Sequence, residues 1–213
     1  NGFGAKLTNI FSTWFEVVCH DPVNGSFAQT FTDNMKTAGP PKITKPKKKP
    51  FSTVIKFKLD NSVFKLSASD LQAQHALLHT DLVRRAALFP GVKVSFNGKL
   101  IQVRSFDKFA KLFPVRKPVS LKINDVLTVA FGMSDEPGHQ SFVNGHYTSG
   151  GGTHLQHVQG RICLALQLHF NSKKTSTRVT AAMIKAKLFV FLNVVLAHPK
   201  FTSQTKTTLA TPL

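Results

Sequence analysis

From Leu188 to Leu196 the chain is apolar at every position except Asn193. A half-wet strand alternates apolar and polar residues, whereas a short run without alternation reads as a strand covered on both faces. Such a strand needs apolar layers above and below it. The fold must therefore contain a sheet buried between two packed surfaces. The run is far shorter than the roughly twenty apolar residues that cross a bilayer. No transmembrane helix and no membrane partner are expected, and His198-Pro199 ends the strand.

The rest of the chain supplies material for those layers. Gly4 opens a short amphipathic helix through Ala5, Leu7, Ile10 and Phe11. Phe15–His20 and Ser26–Thr32 read as two strands of a hairpin, with Pro22, Asn24 and Gly25 in the turn. Ile55, Phe57 and Leu59 alternate with Lys56 and Lys58, which predicts a strand with one face buried. Ser69 or Asp70 caps a helix whose Leu71, Leu78, Leu82 and Phe89 share one stripe, and Pro90-Gly91 stops it. A domain boundary is expected near residue 90. Asn97-Gly98 then fits a type I′ turn between Val92–Phe96 and Leu100–Val103. A short helix at Phe106–Phe113, a strand over Asp125–Met133, a long helix over Thr153–Phe170 and a short helix over Val179–Lys187 follow. Strands alternate with helices, so the class is α+β or α/β.

Charge narrows the partners. The 213 residues carry 28 Lys and Arg against 10 Asp and Glu, a net charge of +18. That surplus favours a polyanion, and a non-enzymatic basic nucleic-acid-binding module is one reading of it. Thr37–Pro50 is rich in proline and lysine and is expected to be an exposed loop. Its lysines either touch phosphate or are merely solvated. Cys19 and Cys163 are too few for a disulfide framework or a zinc site. His75, His79, His154 and His157 have no accompanying carboxylate or thiol pattern, so no metal site is assigned.

Chemistry gathers at the two ends. Asn1-Gly2-Phe3-Gly4-Ala5-Lys6 places glycines where backbone can approach a ligand, ahead of a helix whose free amides favour an anion. Lys6 adds a full charge. Near the other end, Gln204-Thr205-Lys206 lies in a polar loop after the buried strand, and Lys206 offers a mobile ammonium.

These segments carry a family resemblance. Asn1–Thr13 closely resembles the nucleotide-lid region of eukaryotic-type DNA topoisomerase II. Ser141-Phe142-Val143-Asn144, Thr148-Ser149 and Gly151-Gly152-Thr153-His154 resemble that family's transducer segment. Pro199-Lys200-Phe201 with Ser203-Gln204-Thr205-Lys206 resembles the switch loop shared with DNA gyrase, and Phe31–Met35 adds a weaker match. The resemblance covers essentially the whole chain, in the family's order.

It implies an α+β fold: the C-terminal half of a GHKL (Bergerat) ATPase domain at 1–90, then most of a ribosomal-S5-like transducer at 91–213. It implies that Asn1, Gly2, Phe3, Gly4, Ala5 and Lys6 wrap the triphosphate of ATP. Gln204, Thr205 and Lys206 would reach the γ-phosphate, with Lys206 as switch and transition-state stabiliser. Lys173 and Lys174 match a lysine loop that touches double-stranded DNA. The implied whole is a nuclear, homodimeric, ATP-hydrolysing topoisomerase. Its general-base glutamate and Mg2+-ligating asparagine are expected upstream of Asn1, so this chain alone should have negligible ATPase activity. Tyr147 is not the strand-cleaving tyrosine, and neither Glu16 nor Glu136 has a claim to be the base.

Overall fold

The computed structural model describes residues 3–173 and 178–212. Asn1, Gly2 and Lys174, named above as ligand contacts, lie outside the described residues. Packing divides the chain into two compact units, Asn1–Gln74 and His75–Leu213.

The first unit opens with α1 (Phe3–Ile10) and runs on through β1 (Ser12–Asp21) and β2 (Gly25–Thr32). β1 and β2 form the expected antiparallel hairpin, with Phe15 opposite Phe31. Asp21 builds its turn: one carboxylate oxygen accepts the amides of Val23 and Asn24 at 2.7 and 3.1 Å. Gly25 is obligatory there. Its φ is +98°, and a Cβ would run into the carbonyl oxygen of Thr44.

The segment expected to be a loop is partly sheet. β3 (Thr37–Ala38) and β4 (Lys42–Thr44) both pair antiparallel with β2. Pro40 and Pro41 sit between the two short edge strands, where proline costs no ladder bond. β5 (Ser52–Leu59) pairs with the other edge of β1, giving the order β3-β2-β1-β5, with β4 also paired to β2. The alternation at Ile55 and Phe57 marks a strand, but the face expected to be buried stays open, at 46% and 52% exposure.

A one-turn helix that the sequence did not suggest, α2 (Asn61–Phe64), is capped by Asp60, which accepts the Ser62 amide. α3 (Ala68–Leu88) follows, and the division between the two units falls within it. Its cap is Ser67, not Ser69 or Asp70. Asp70 accepts the Ser67 amide at 2.9 Å while Ser67 Oγ accepts the Asp70 amide at 3.2 Å, a reciprocal box. Leu71, Leu78 and Phe89 of the expected stripe are exposed, whereas Ala86 and Ala87 are buried.

In the second unit, β6 (Ser95–Phe96) and β7 (Lys99–Leu100) form the Asn97-Gly98 hairpin, with φ of +49° and +75° at the turn. α4 (Phe106–Ala110) is capped by Ser105, which accepts the Lys108 amide. Among the described residues, five strands and two helices follow: β8 (Arg116–Lys122), β9 (Leu127–Met133), β10 (Gly138–Val143), β11 (His146–Tyr147), α5 (Thr153–Ser172), α6 (Ala181–Lys185) and β12 (Leu188–Val194).

The sheet order is β11-β10-β12-β9-β8, with β12 in the middle. β10 and β12 are parallel, and α5 and α6 supply the crossover that parallel strands require. Successive residues of β12 face opposite layers. Phe191 joins Ala87, Phe106, Phe109 and Phe142 on one side, while Leu188, Val190 and Leu192 join Leu155 and Cys163 on the other. The two-sided burial inferred from Leu188–Leu196 holds over Leu188–Leu192, whereas the strand ends at Val194 and Val195 is exposed. Both cysteines are free thiols.

Candidate functional site

In the first unit, Phe3, Gly4, Ala5 and Lys6 form the first turn of α1, and all four are exposed. A Cβ at Gly4 would meet nothing within 4 Å. The turn thus has open space around its backbone, and its unsatisfied amides carry the positive end of the helix dipole. Thr8 Oγ1 donates back to the Gly4 carbonyl at 2.9 Å and Ser12 Oγ to the Thr8 carbonyl at 2.6 Å, fastening the helix to the start of β1.

In the second unit, Gln204, Thr205 and Lys206 occupy a loop tied at its base. Phe201 bridges Leu209, and the Thr202 amide donates to the Thr208 carbonyl at 3.1 Å. The Gly150–Thr153 segment grips the same strand end. Gly150 donates to Thr207, Leu209 to Gly151 and Thr153 to Leu209, at 2.9, 3.0 and 3.2 Å. Gly152 has φ +129°, and a Cβ there would lie 2.6 Å from the Leu209 amide nitrogen. Two motifs far apart in sequence are thus one structural unit, and the glycines allow the backbones to touch.

Lys206 itself is left-handed, with φ +58°. Its amide donates to the Ser203 carbonyl at 3.1 Å, and the Ser203 and Thr205 hydroxyls bond at 2.7 Å. The Lys206 ammonium lies 3.3 Å from His146 Nε2. Burial, then the Lys206 charge, lowers the His146 pKa, so the imidazole is an acceptor for the ammonium. No sequence motif pointed to His146.

Beneath the loop lies a buried polar chain. The Ser141 and Thr148 hydroxyls are 2.7 Å apart, and Thr148 Oγ1 is 3.2 Å from His154 Nε2. His154 is 2% exposed. Burial, reinforced by nearby His139, drops its pKa from 6.5 to about 4. It is a neutral core histidine. Among the described residues no group of three or more His, Cys, Asp or Glu could hold a metal.

The His154 shift has a sign. The unfolded chain takes up a proton near pH 6.5 and the folded chain only near pH 4. Its contribution is therefore fully present above the unfolded value and is lost as pH falls through that window, by about 3 kcal/mol in the limit. His154→Asn should remove that slope. Urea unfolding at pH 7 and pH 5, for wild type and variant, checks it; equal pH dependence in both would contradict the assignment.

Tyr147 is structural. The Arg84 guanidinium sits 4.0 Å above its ring, and Phe142 packs on it at 5.5 Å. Lys173 is exposed at the C-terminal cap of α5. Glu16 on β1 pairs with Lys56 at 3.1 Å, and Glu136 is an exposed turn residue. No helix among the described residues is long and apolar enough to cross a membrane.

Comparison with known proteins defines the class. A family model described as DNA gyrase B matches residues 100–213. The chain is 39% identical over its whole length to a probable DNA topoisomerase 2 of Dictyostelium discoideum, and 37% identical over 99% of it to DNA topoisomerase 2 of Pisum sativum. It spans 14% and 15% of the lengths of those relatives. The ATPase region of Saccharomyces cerevisiae topoisomerase II matches the whole chain with TM-score 0.86 at 32% identity, the match taking in 56% of that chain. The ATPase and transducer domains of Balamuthia mandrillaris topoisomerase II match with TM-score 0.85 at 29% identity, again over 100% of this chain and 56% of the other. An ATP-binding domain of Francisella tularensis topoisomerase IV shares the fold, with TM-score 0.71 at 19% identity over 95% of this chain and 59% of that one. The chain belongs to the DNA gyrase B family. The resemblance to eukaryotic-type topoisomerase II and the α+β fold it implied are borne out.

Proposed function

We propose that this chain is the phosphate-sensing part of an ATP-dependent type II DNA topoisomerase. Residues 1–90 belong to its GHKL ATPase domain and 91–213 to its transducer. The border is placed where α3 ends, although packing alone divides the chain within that helix. Phe3, Gly4, Ala5 and Lys6, with Asn1 and Gly2, hold the triphosphate of ATP. Gln204, Thr205 and Lys206 read the γ-phosphate. The observation that carries this reading is the anchored switch loop: a fixed base, an exposed tip and a left-handed Lys206.

ATP supplies a terminal phosphate whose charge exists before hydrolysis and leaves after it. Lys206 offers an ammonium to that charge, and Gln204 an amide donor. Loss of the phosphate removes both contacts and frees the loop, so the transducer responds to the state of the nucleotide. The coupled events are closure of a homodimeric gate and passage of one DNA duplex through another in the nucleus. Lys173 and Lys174 contribute contacts to the phosphates of that DNA. Mg2+ is usually held by one or two protein carboxylates together with substrate phosphates and water, and among the described residues no group of three or more His, Cys, Asp or Glu offers a ready-made site.

The test splices the chain to the N-terminal ATPase segment of the Dictyostelium relative. The spliced protein should hydrolyse ATP and dimerise with a non-hydrolysable analogue, whereas the 213 residues alone stay at background. Turnover by the short chain alone would overturn this division of labour. Salt-sensitive DNA binding without nucleotide protection of either protein would favour the basic nucleic-acid-binding module instead.

A further inference from the structure

The strongest charge concentration lies in the first unit, away from both motif segments in sequence. Five of the eight residues from Lys42 to Lys49 are lysine, and no Asp or Glu occurs between Asp33 and Asp60. Lys42, Lys45, Lys47, Lys48 and Lys49 are all exposed. Among the described residues, none of the five makes an ion pair within 4 Å, whereas Lys56 is paired with Glu16.

The segment is held at both ends. Lys42, Ile43 and Thr44 pair with Ala28, Phe27 and Ser26 as β4. At the far end, the buried ring of His20 reaches the Lys49 carbonyl through Nε2 at 3.2 Å, while Nδ1 meets Ser26 Oγ at 2.6 Å. A carbonyl only accepts, so Nε2 carries the proton and Nδ1 accepts from the serine hydroxyl. Between these anchors Pro46 limits the backbone, Pro50 follows directly after, and the Lys49 amide donates to the Lys47 carbonyl at 2.7 Å. Like charges repel, and a free lysine run would spread. Here a sheet edge and a buried imidazole hold the backbone of the run at both ends.

We propose that the Lys42–Lys49 segment is a binding surface for the phosphate backbone of duplex DNA. Lysine ammonium groups are point charges suited to phosphate without sequence preference. Phe51, 70% exposed, is the one aromatic within two positions of the run in sequence. A single ring is no stacking platform for single-stranded bases, which use successive aromatics. The inference rests on the proposed function only for the identity of the polyanion, and it needs neither ATP nor turnover.

The test is a salt titration of duplex binding by the 213-residue chain, without nucleotide. Replacing Lys45, Lys47, Lys48 and Lys49 by Gln should lower the slope of log K against log salt by about 2–4 and weaken binding about tenfold or more at 0.1 M salt. Replacing the same four by Arg should keep the slope. A control removes equal charge from Lys93, Lys99, Lys108 and Lys200, which are scattered over the second unit. An equal loss in that control, or an unchanged slope in the Gln variant, overturns the proposal. So does a Gln variant that loses only its binding to phosphatidylserine vesicles, which would assign the patch to a membrane surface. Circular dichroism of each variant confirms folding. A chain that binds DNA this way while its spliced form fails to hydrolyse ATP would sink the proposed ATP-sensing role and leave this surface standing.

Discussion

Phe191→Ala should destabilise the second unit by about 3–5 kcal/mol, the cost of deleting a fully buried aromatic whose site cannot collapse. Phe191 is 0% exposed on the central strand β12. Its ring meets Phe113 and Phe109 edge-on, at centroid distances of 5.1 and 6.1 Å, and Phe189 at 4.9 Å. Strands on both sides hold the backbone, with Phe191 opposite Ala130 and Gln140, so the cavity cannot close by moving the strand. The chain offers separate probes, because its one Trp, Trp14, lies in the first unit and its one Tyr, Tyr147, in the second. Urea unfolding followed through Tyr147 should shift strongly. Leu168→Ala is the control, because Leu168 is exposed on α5 and its truncation should stay within about 0.5 kcal/mol. A Phe191→Ala loss below about 1 kcal/mol would mean that the aromatic layer is not the core of this unit.

The same strand shows why some of the fold was legible in the sequence. β12 was legible from its apolar run, α5 from its helical pattern and the β1–β2 hairpin from its turn residues, and all three form. β8 and β10 carry almost no such signal. Arg116–Lys122 has only two strongly apolar residues among charges, because it is an edge strand. Gly138–Val143 spends interior positions on polar groups, because Ser141 bonds Thr148 beside His154 instead of packing against hydrocarbon. β3 and β4 hid behind prolines that suggested only loop. The stripe Leu71, Leu78 and Phe89 promised burial that the helix gives to Ala86 and Ala87. At the site, the two motif segments were readable as strings. Their mutual support was not: the contacts of Gly150–Thr153 with Thr207–Leu209 join residues more than fifty positions apart, and nothing local encodes them. His146 beside Lys206 and His20 beneath Lys49 were invisible for the same reason.

Lys206→Ala in the spliced protein should slow ATP hydrolysis by about 100–1000-fold while leaving nucleotide affinity nearly unchanged. The proposed contact strengthens as charge develops on the γ-phosphate, so its loss falls on kcat. The backbone geometry allows a sharper version. Lys206 holds φ +58°, where a side chain costs of order 1–3 kcal/mol and glycine costs nothing. Lys206→Gly therefore relieves strain and removes the ammonium, whereas Lys206→Ala removes the ammonium and keeps the strain. If the charge is what matters, both variants are equally slow, though the glycine variant is the more stable in urea. If the strained turn is what matters, the two diverge, and glycine is the more impaired or the more active according to whether the turn must be stiff or loose. Lys206→Arg separates charge from shape, since a guanidinium keeps the charge but not the compact ammonium. Unchanged turnover in Lys206→Ala would remove Lys206 from the reaction and leave its left-handed backbone as a feature of the loop's anchoring alone.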